Sequence, residues 1–312
     1  MKFPFQILND REYDVVGFGT NAVDYLIQVK EYPAFNSKVE LESYVQSAGG
    51  EVASTMAGLR RLGLTTAYAG RFGDDHEGKI GLQSLIDEGV DVTFAQTVAG
   101  ARTQIAFIFI DTKSGERTIL WQRDKLLAYS ETQAPVASAT LGRVLHITPH
   151  DTGACVKMAR AARDAEVIAS MDIDNIFDGV EELLPLVDVC LASAEFPEKL
   201  LGIKDKKQAL GEMRARYGCP VSGLTLGESG SIVLCNDTFI ESPAFAVPGG
   251  CVDTTGAGDA FRTGFLYGML SGKSVELSCA TANAVAALKC RSVGARAGLP
   301  TQLELKLLLD SL

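Results

Sequence analysis

From residue 143 onward the chain alternates short, β-branched apolar runs with longer helical patterns, and this alternation constrains the fold more than any other feature. Val144–Ile147, Val167–Met171, Val187–Leu191, Val221–Leu226 and Ser231–Leu234 read as strands, and helical patterns fill 153–164, 195–201, 205–217, 260–270 and 275–289. Strands separated by helices return to a sheet in parallel through crossovers, whereas antiparallel neighbours need only a short turn. The chain is therefore expected to be α/β, built on a doubly wound, mostly parallel sheet. Nearer the N-terminus, Asp14–Gly19 and Thr65–Ala69 extend the strand pattern, and 51–62 and 79–88 the helical one.

Two stretches break the alternation. Residues 20–46 and 101–122 are β-rich with no helix between their strands, and Ser114–Gly115 marks the turn of a hairpin. They are expected to form a small β lid beside the main sheet. With no repeat, low-complexity tract or linker, residues 1–312 read as one domain.

Composition narrows the partners. Of 312 residues, 29 are basic and 39 acidic, a formal charge of −10, which argues against the clustered Lys and Arg that neutralise nucleic-acid phosphates. The opening residues lack the long apolar stretch and cleavage site of a secretory signal, and no run approaches the ~18 apolar residues of a membrane helix. Neither nucleic acid nor a membrane is expected as a partner. The seven cysteines form an odd set without a CxxC pair, as expected of reduced thiols in a cytoplasmic protein. His146 and His150 have the spacing of a helical metal pair, but Pro149 between them breaks that geometry.

Three glycine-rich segments invite a phosphate-binding reading. Gly17-Phe18-Gly19-Thr20-Asn21-Ala22 fits the dinucleotide fingerprint, yet a β-like segment follows where that motif requires a helix. Gly73 to Lys79 falls one residue short of a Walker A loop: Ile80 stands where Ser or Thr would hold magnesium, and Asp74, Asp75 and Glu77 would put negative charge in the cradle. Both read as structural turns. Asp253-Thr254-Thr255-Gly256-Ala257-Gly258-Asp259 differs, because a helical segment follows directly. A Gly-Ala-Gly turn at a helix N-terminus aims backbone N–H groups and the helix dipole at an anion, with Asp259 at the rim. From these residues alone, an Asp capping a helix after a glycine turn is an equal alternative.

Residues 253–261, DTTGAGDAF, resemble the C-terminal signature of the ribokinase-like (PfkB) carbohydrate kinases, and other segments are similar in the same order. Gly17 with Asp24 looks like that family's substrate strand, Ser47-Ala48-Gly49-Gly50 like its sugar-binding glycine pair, and Ala69 to Asp74 like its G-x-x-G-D turn. Thr225 to Gly230 looks like its nucleotide loop, and Asn283 and Gly294-Ala295 fall where the family closes the adenine pocket. The resemblance, spanning about residues 14 to 300, implies ATP-dependent phosphorylation of a sugar hydroxyl. Asp259 would be the general base and Gly256, Ala257 and Gly258 the anion hole. Thr225, Gly227, Gly230 and Asn283 would contact ATP, and Asp24, Gly49, Gly50 and Ser54 the sugar. Asp253 and Thr255 match positions that hold a monovalent cation such as K+ in several relatives, and magnesium (Mg2+) would accompany the nucleotide.

Two departures from the family pattern stand out. Ser54 replaces an asparagine, losing the amide's paired donor and acceptor. The N-x-x-E segment reads Ser193-Ala194-Glu195-Phe196, so Glu195 is shifted by one and would reach magnesium only through water. A small sugar is the expected acceptor; a nucleoside kinase and a non-catalytic sugar or nucleotide sensor are the alternatives. Arg102, Arg117 and Arg123 near the hairpin either meet an anionic substrate or are solvated and ion-paired. Trp121 either covers a sugar or base or is a half-buried sheet residue. Open strand edges of the lid make a homodimer plausible.

Overall fold

The computed structural model describes residues 1–310. The first half contains β1 (Tyr13–Phe18), β2 (Ala22–Val29), β3 (Ser43–Gly49), α1 (Glu51–Arg61), β4 (Thr66–Ala69), β5 (Arg71–Gly73) and α2 (His76–Asp87). It continues through β6 (Gln96–Val98), β7 (Ile105–Asp111), β8 (Arg117–Gln122), α3 (Val136–Ala139), β9 (Gly142–Ile147) and α4 (Thr152–Asp164). Next come β10 (Ile168–Ile173), α5 (Val180–Leu183), β11 (Val189–Ser193), α6 (Phe196–Leu201), α7 (Lys206–Tyr217) and β12 (Val221–Thr225). The chain ends with β13 (Ser231–Cys235), β14 (Thr238–Ser242), α8 (Ala257–Leu270), α9 (Val275–Lys289) and α10 (Gln302–Leu309).

Eight strands make the main sheet in the order β14-β13-β12-β11-β10-β9-β1-β4. It is parallel from β4 to β12, and only the β12–β13–β14 pairings are antiparallel. Both faces are covered, which is why its strands are apolar throughout instead of alternating. One core gathers Leu145, Met171, Cys190 and Phe196, and the other Val15, Val52, Met56 and Phe265. A second sheet, β3-β2-β7-β8, matches the two stretches read as a lid, with β3 running on to Gly49. Its row Ser47, Asp24, Ala106 and Trp121 is fixed by strand register.

Both decoy motifs are structural. Gly17 lies under α1, where a Cβ would come within 2.6 Å of Val52, and the strand β2 follows it. In the Walker-like segment Asp75 caps α2, accepting from the Gly78 N–H at 2.9 Å and from Thr103. His146 is buried on β9 beside Ser170, while His150 sits in a 3-10 turn begun by Pro149. All seven cysteines are free thiols, and only Cys251 is exposed. The β5–β6 pair, β14 and α10 were not anticipated, being short or weakly patterned. Helix α8 begins three residues earlier than its apolar face suggests, and this places Asp259 inside its first turn.

Helices α8 and α9 pack closely because glycine lines their contact. A Cβ at Gly264 would lie 2.6 Å from Ala282 Cα, and one at Gly268 2.8 Å from Ser278 Cα. Gly264→Val is expected to lower unfolding stability by about 1–3 kcal/mol, the usual range for overpacking. Urea denaturation of the two proteins checks it.

Candidate active site

The carboxyl ends of the parallel strands open toward the lid, the usual place for a ligand in such sheets. Asp259 enters from the first turn of α8. Gly256, at φ +75°, forms the N-cap, and a Cβ there would collide with Ala295 at 2.8 Å, so the turn requires glycine. At Gly258 a Cβ would lie 2.7 Å from Arg262 Nη1, so the guanidinium lies along the rim of the turn. Of the three expected anion-hole residues, Ala257 needs correcting. Its N–H donates to the Thr254 carbonyl at 3.1 Å, leaving the first-turn amides of Gly258 and Asp259, with Gly256, to face an anion.

Carboxylates crowd this end of the cleft. Asp259 is held well above the ordinary carboxylate range, first by burial and then by the negative charges of Asp172 and Glu51, against the pull of Arg262. Asp172 forms a buried ion pair with Arg262 at 2.7 Å, and Arg262 also donates to the Leu191 carbonyl. Glu51, the first residue of α1, accepts from Thr20 Oγ1 at 3.0 Å and lies 3.6 Å from His150 Nδ1. Burial and the charge of Asp174 push Glu51 up to about 7.

The expected sugar site is built around Asp24. This carboxyl is buried and pushed up to about 7 by desolvation, with Arg296 opposing the shift. Gly49 lies directly on it: a Cβ at Gly49 would be 2.0 Å from Asp24 Oδ2. Gly50, at φ +87°, lets the entrance to α1 pass within reach of Asn21. Ser54 is a correction. It is fully buried, and its hydroxyl accepts from Arg296 Nε at 3.2 Å instead of facing a ligand. The short serine leaves space for that guanidinium, which also donates to Gly49 O at 2.6 Å and Ser84 Oγ at 2.8 Å.

At the expected nucleotide end, Thr225 terminates β12, and Gly227 and Gly230 shape the turn into β13 with positive φ. A Cβ at Gly230 would strike Ser242 O at 2.1 Å. Asn283 does not present its amide nitrogen to the cleft; it donates to Ser231 Oγ, Ser242 O and Ser242 Oγ, each at 3.1 Å, tying α9 to the β13–β14 hairpin. Glu195 is exposed at the start of α6. Among the described residues no cluster of three His, Cys, Asp or Glu side chains is set to hold a metal ion.

The expected monovalent-cation position is filled from within. Asp253 is completely buried; its Oδ1 accepts from Thr255 N at 2.8 Å and its Oδ2 from Gly294 N at 2.7 Å. The Lys289 ammonium, equally buried, donates to Asp253 O at 2.8 Å and lies 4.0 Å from Oδ2. Asp253 therefore meets its counter-charge within the chain, while the Thr255 hydroxyl is buried without a partner.

The hairpin arginines split. Arg123 is paired to Asp151 at 2.7 Å, Arg117 donates to Thr254 Oγ1 at 2.8 Å, and the Arg102 side chain is exposed. Trp121 is 60% exposed and edge-on to His150, which itself packs on Phe177. Arg296, Arg262, Asp172, Glu51 and Lys289 escaped sequence reasoning. The available signal was a charge inside an apolar or small-residue run, as in AVAALKC and GARAGL.

The family profile described as pfkB family carbohydrate kinase matches residues 14–302. An uncharacterized sugar kinase of Archaeoglobus fulgidus is 34% identical over 257 residues, 79% of this chain and all of that one. A nucleoside kinase of Methanothermobacter thermautotrophicus is 25% identical, covering 92% of each chain. The structure of Arabidopsis thaliana ribokinase complexed with ribose and ATP shares the fold, with a TM-score of 0.81 and 23% identity over 96% of this chain and 99% of that one. No helix among the described residues is long and apolar enough to cross a membrane. The match across nearly the whole chain, on a site of this form, makes the protein a member of the pfkB family of carbohydrate kinases, phosphotransferases with an alcohol group as acceptor.

Proposed function

We propose that the protein transfers the γ-phosphoryl group of ATP to a hydroxyl of a small, uncharged sugar. The observation that carries this reading is the pairing of Asp259 with the unsatisfied N–H groups of its own helix turn. The acceptor hydroxyl gives its proton to the Asp259 carboxylate as its oxygen attacks the γ-phosphorus, and the bond to ADP breaks. Backbone N–H groups at Gly256, Gly258 and Asp259, with Arg262 alongside, meet the charge on the transferring oxygens. Thr225, Gly227 and Gly230 line the nucleotide end, which Asn283 braces. Magnesium bound with the nucleotide supplies charge neutralisation at its phosphates. Glu195 is the residue of this chain assigned to reach it, through water.

Acceptor charge follows from the side chains around Asp24. Asp24, Glu51, Asp172 and Asp259 face two guanidinium groups that are already engaged, Arg262 with Asp172 and Arg296 with Gly49, Ser54 and Ser84. Hydroxyl donors suit such a surface, and a second phosphate does not. A nucleoside is the second reading, favoured by the aromatic shelf of Trp121, His150 and Phe177, on which a base would stack. The open edges of the lid, β3 and β8, are the place for a second copy of the chain, with Leu120 and Trp121 exposed on β8.

ADP release from Mg-ATP across neutral sugars, their phosphates and nucleosides tests the acceptor; turnover with sugar phosphates alone overturns the reading. Asp259→Asn is expected to keep ATP binding and to lower kcat by roughly 10²–10⁴. Because Asp259 must be ionised to accept a proton, kcat/KM is expected to fall on the acid side, at a pH above the ordinary carboxylate range. Asp172→Asn removes a charge that raises Asp259, so it should move this acid limb to lower pH; a pH profile of both proteins decides. Sedimentation of the wild type against Leu120→Glu tests the lid dimer, which predicts that the variant is the lighter species.

A further inference from the structure

The contact between Lys289 and Asp253 does more than close the end of α9. A buried carboxylate needs a counter-charge, and that charge is covalently part of this chain. The Lys289 ammonium is fully buried, 2.8 Å from the Asp253 carbonyl and 4.0 Å from its Oδ2. The position is stitched on every side. Val252 N and Asp253 N both donate to Cys290 O, at 2.9 and 3.4 Å, and a Cβ at Gly298 would lie 2.2 Å from Lys289 O. From β8, Arg117 adds a further positive charge, and Cys251 and Cys290 are the other titratable neighbours.

We infer that Lys289 serves as a built-in cation for the anion-binding turn, so that this kinase works without potassium or another free monovalent cation. Both Asp253 oxygens already accept backbone N–H groups, from Thr255 and Gly294. The Thr255 hydroxyl is buried without a partner, but one hydroxyl is no coordination shell. A potassium ion beside Asp253 would place two positive charges against one carboxylate, with Arg117 a third close by. Burial pushes the Lys289 ammonium down and Asp253 pushes it back up. Lys289 is a positioning residue: it fixes Asp253, and Asp253 fixes the turn that carries Gly256, Gly258 and Asp259.

The activity arm rests on the proposed phosphoryl transfer, and a thermal arm does not. Wild-type kcat and KM for ATP are compared in choline or Tris buffer free of potassium, sodium and ammonium, and again with potassium added. The expected change is less than about twofold, and the melting temperature should be equally indifferent. Lys289→Ala opens the site, so potassium should restore its activity by about tenfold, a difference of about 1.4 kcal/mol, and raise its melting temperature. Lys289→Arg should keep cation independence. Activation of the wild type about tenfold by potassium, or a potassium-dependent rise in its melting temperature, would overturn the inference. So would a Lys289→Ala protein with full activity in choline. Should Lys289→Ala fail to fold, the wild-type arms decide; should no acceptor release ADP, phosphoryl transfer fails and the melting temperatures still decide the role of Lys289.

Discussion

Asp253 is the point on which the site depends. Its two carboxylate oxygens bind backbone N–H groups from opposite sides, Thr255 in its own turn and Gly294 beyond α9, while Lys289 balances its charge. Those contacts hold a glycine-rich turn in which Gly256 and Gly258 carry high backbone entropy when free. Truncating one member of a buried pair such as this usually costs about 3–5 kcal/mol, because the other charge is left without compensation.

The same cleft gathers more negative charge than stability alone would favour. Asp24, Glu51, Asp172 and Asp259 are all pushed upward by burial, and Arg262 and Arg296 offset only part of that. A carboxyl raised in this way is a better proton acceptor when ionised than a solvated one, which suits the role assigned to Asp259. Asp172 and Arg262 take a related part: their ion pair holds the guanidinium beside Gly258.

Much of the fold was legible in the sequence because periodicity reports burial. The parallel strands are apolar on both faces, and the lid stretches lack helices, so both patterns survive in one dimension. Asp259, Asp24 and Gly49 entered as candidates through the resemblance of their motifs to the pfkB family and not through periodicity, and the structure places Gly49 directly against Asp24. Arg296 and Lys289 were not legible, because their partners lie far along the chain: Arg296 reaches Gly49 and Ser54, and Lys289 reaches Asp253. Ser54 shows why a substitution in a motif misleads when read alone. Its short side chain matters less for what it loses than for the guanidinium it admits.

The lid and the anion-binding turn are joined directly, and this follows from where the β7–β8 hairpin ends. Thr254 N and Oγ1 both donate to Gly115 O, and Arg117 donates to Thr254 Oγ1. On the other side, a Cβ at Gly294 would lie 2.9 Å from Leu26, so the Asp253 partner packs on β2 itself. Asp24 and the partners of Thr254 are therefore carried by the same sheet. A lid displaced from the body would break the Thr254 contacts while it withdrew Asp24. Under the proposed phosphoryl transfer, a sheet that moved would carry Asp24 and these turn contacts together, which would disfavour transfer to water in the open state.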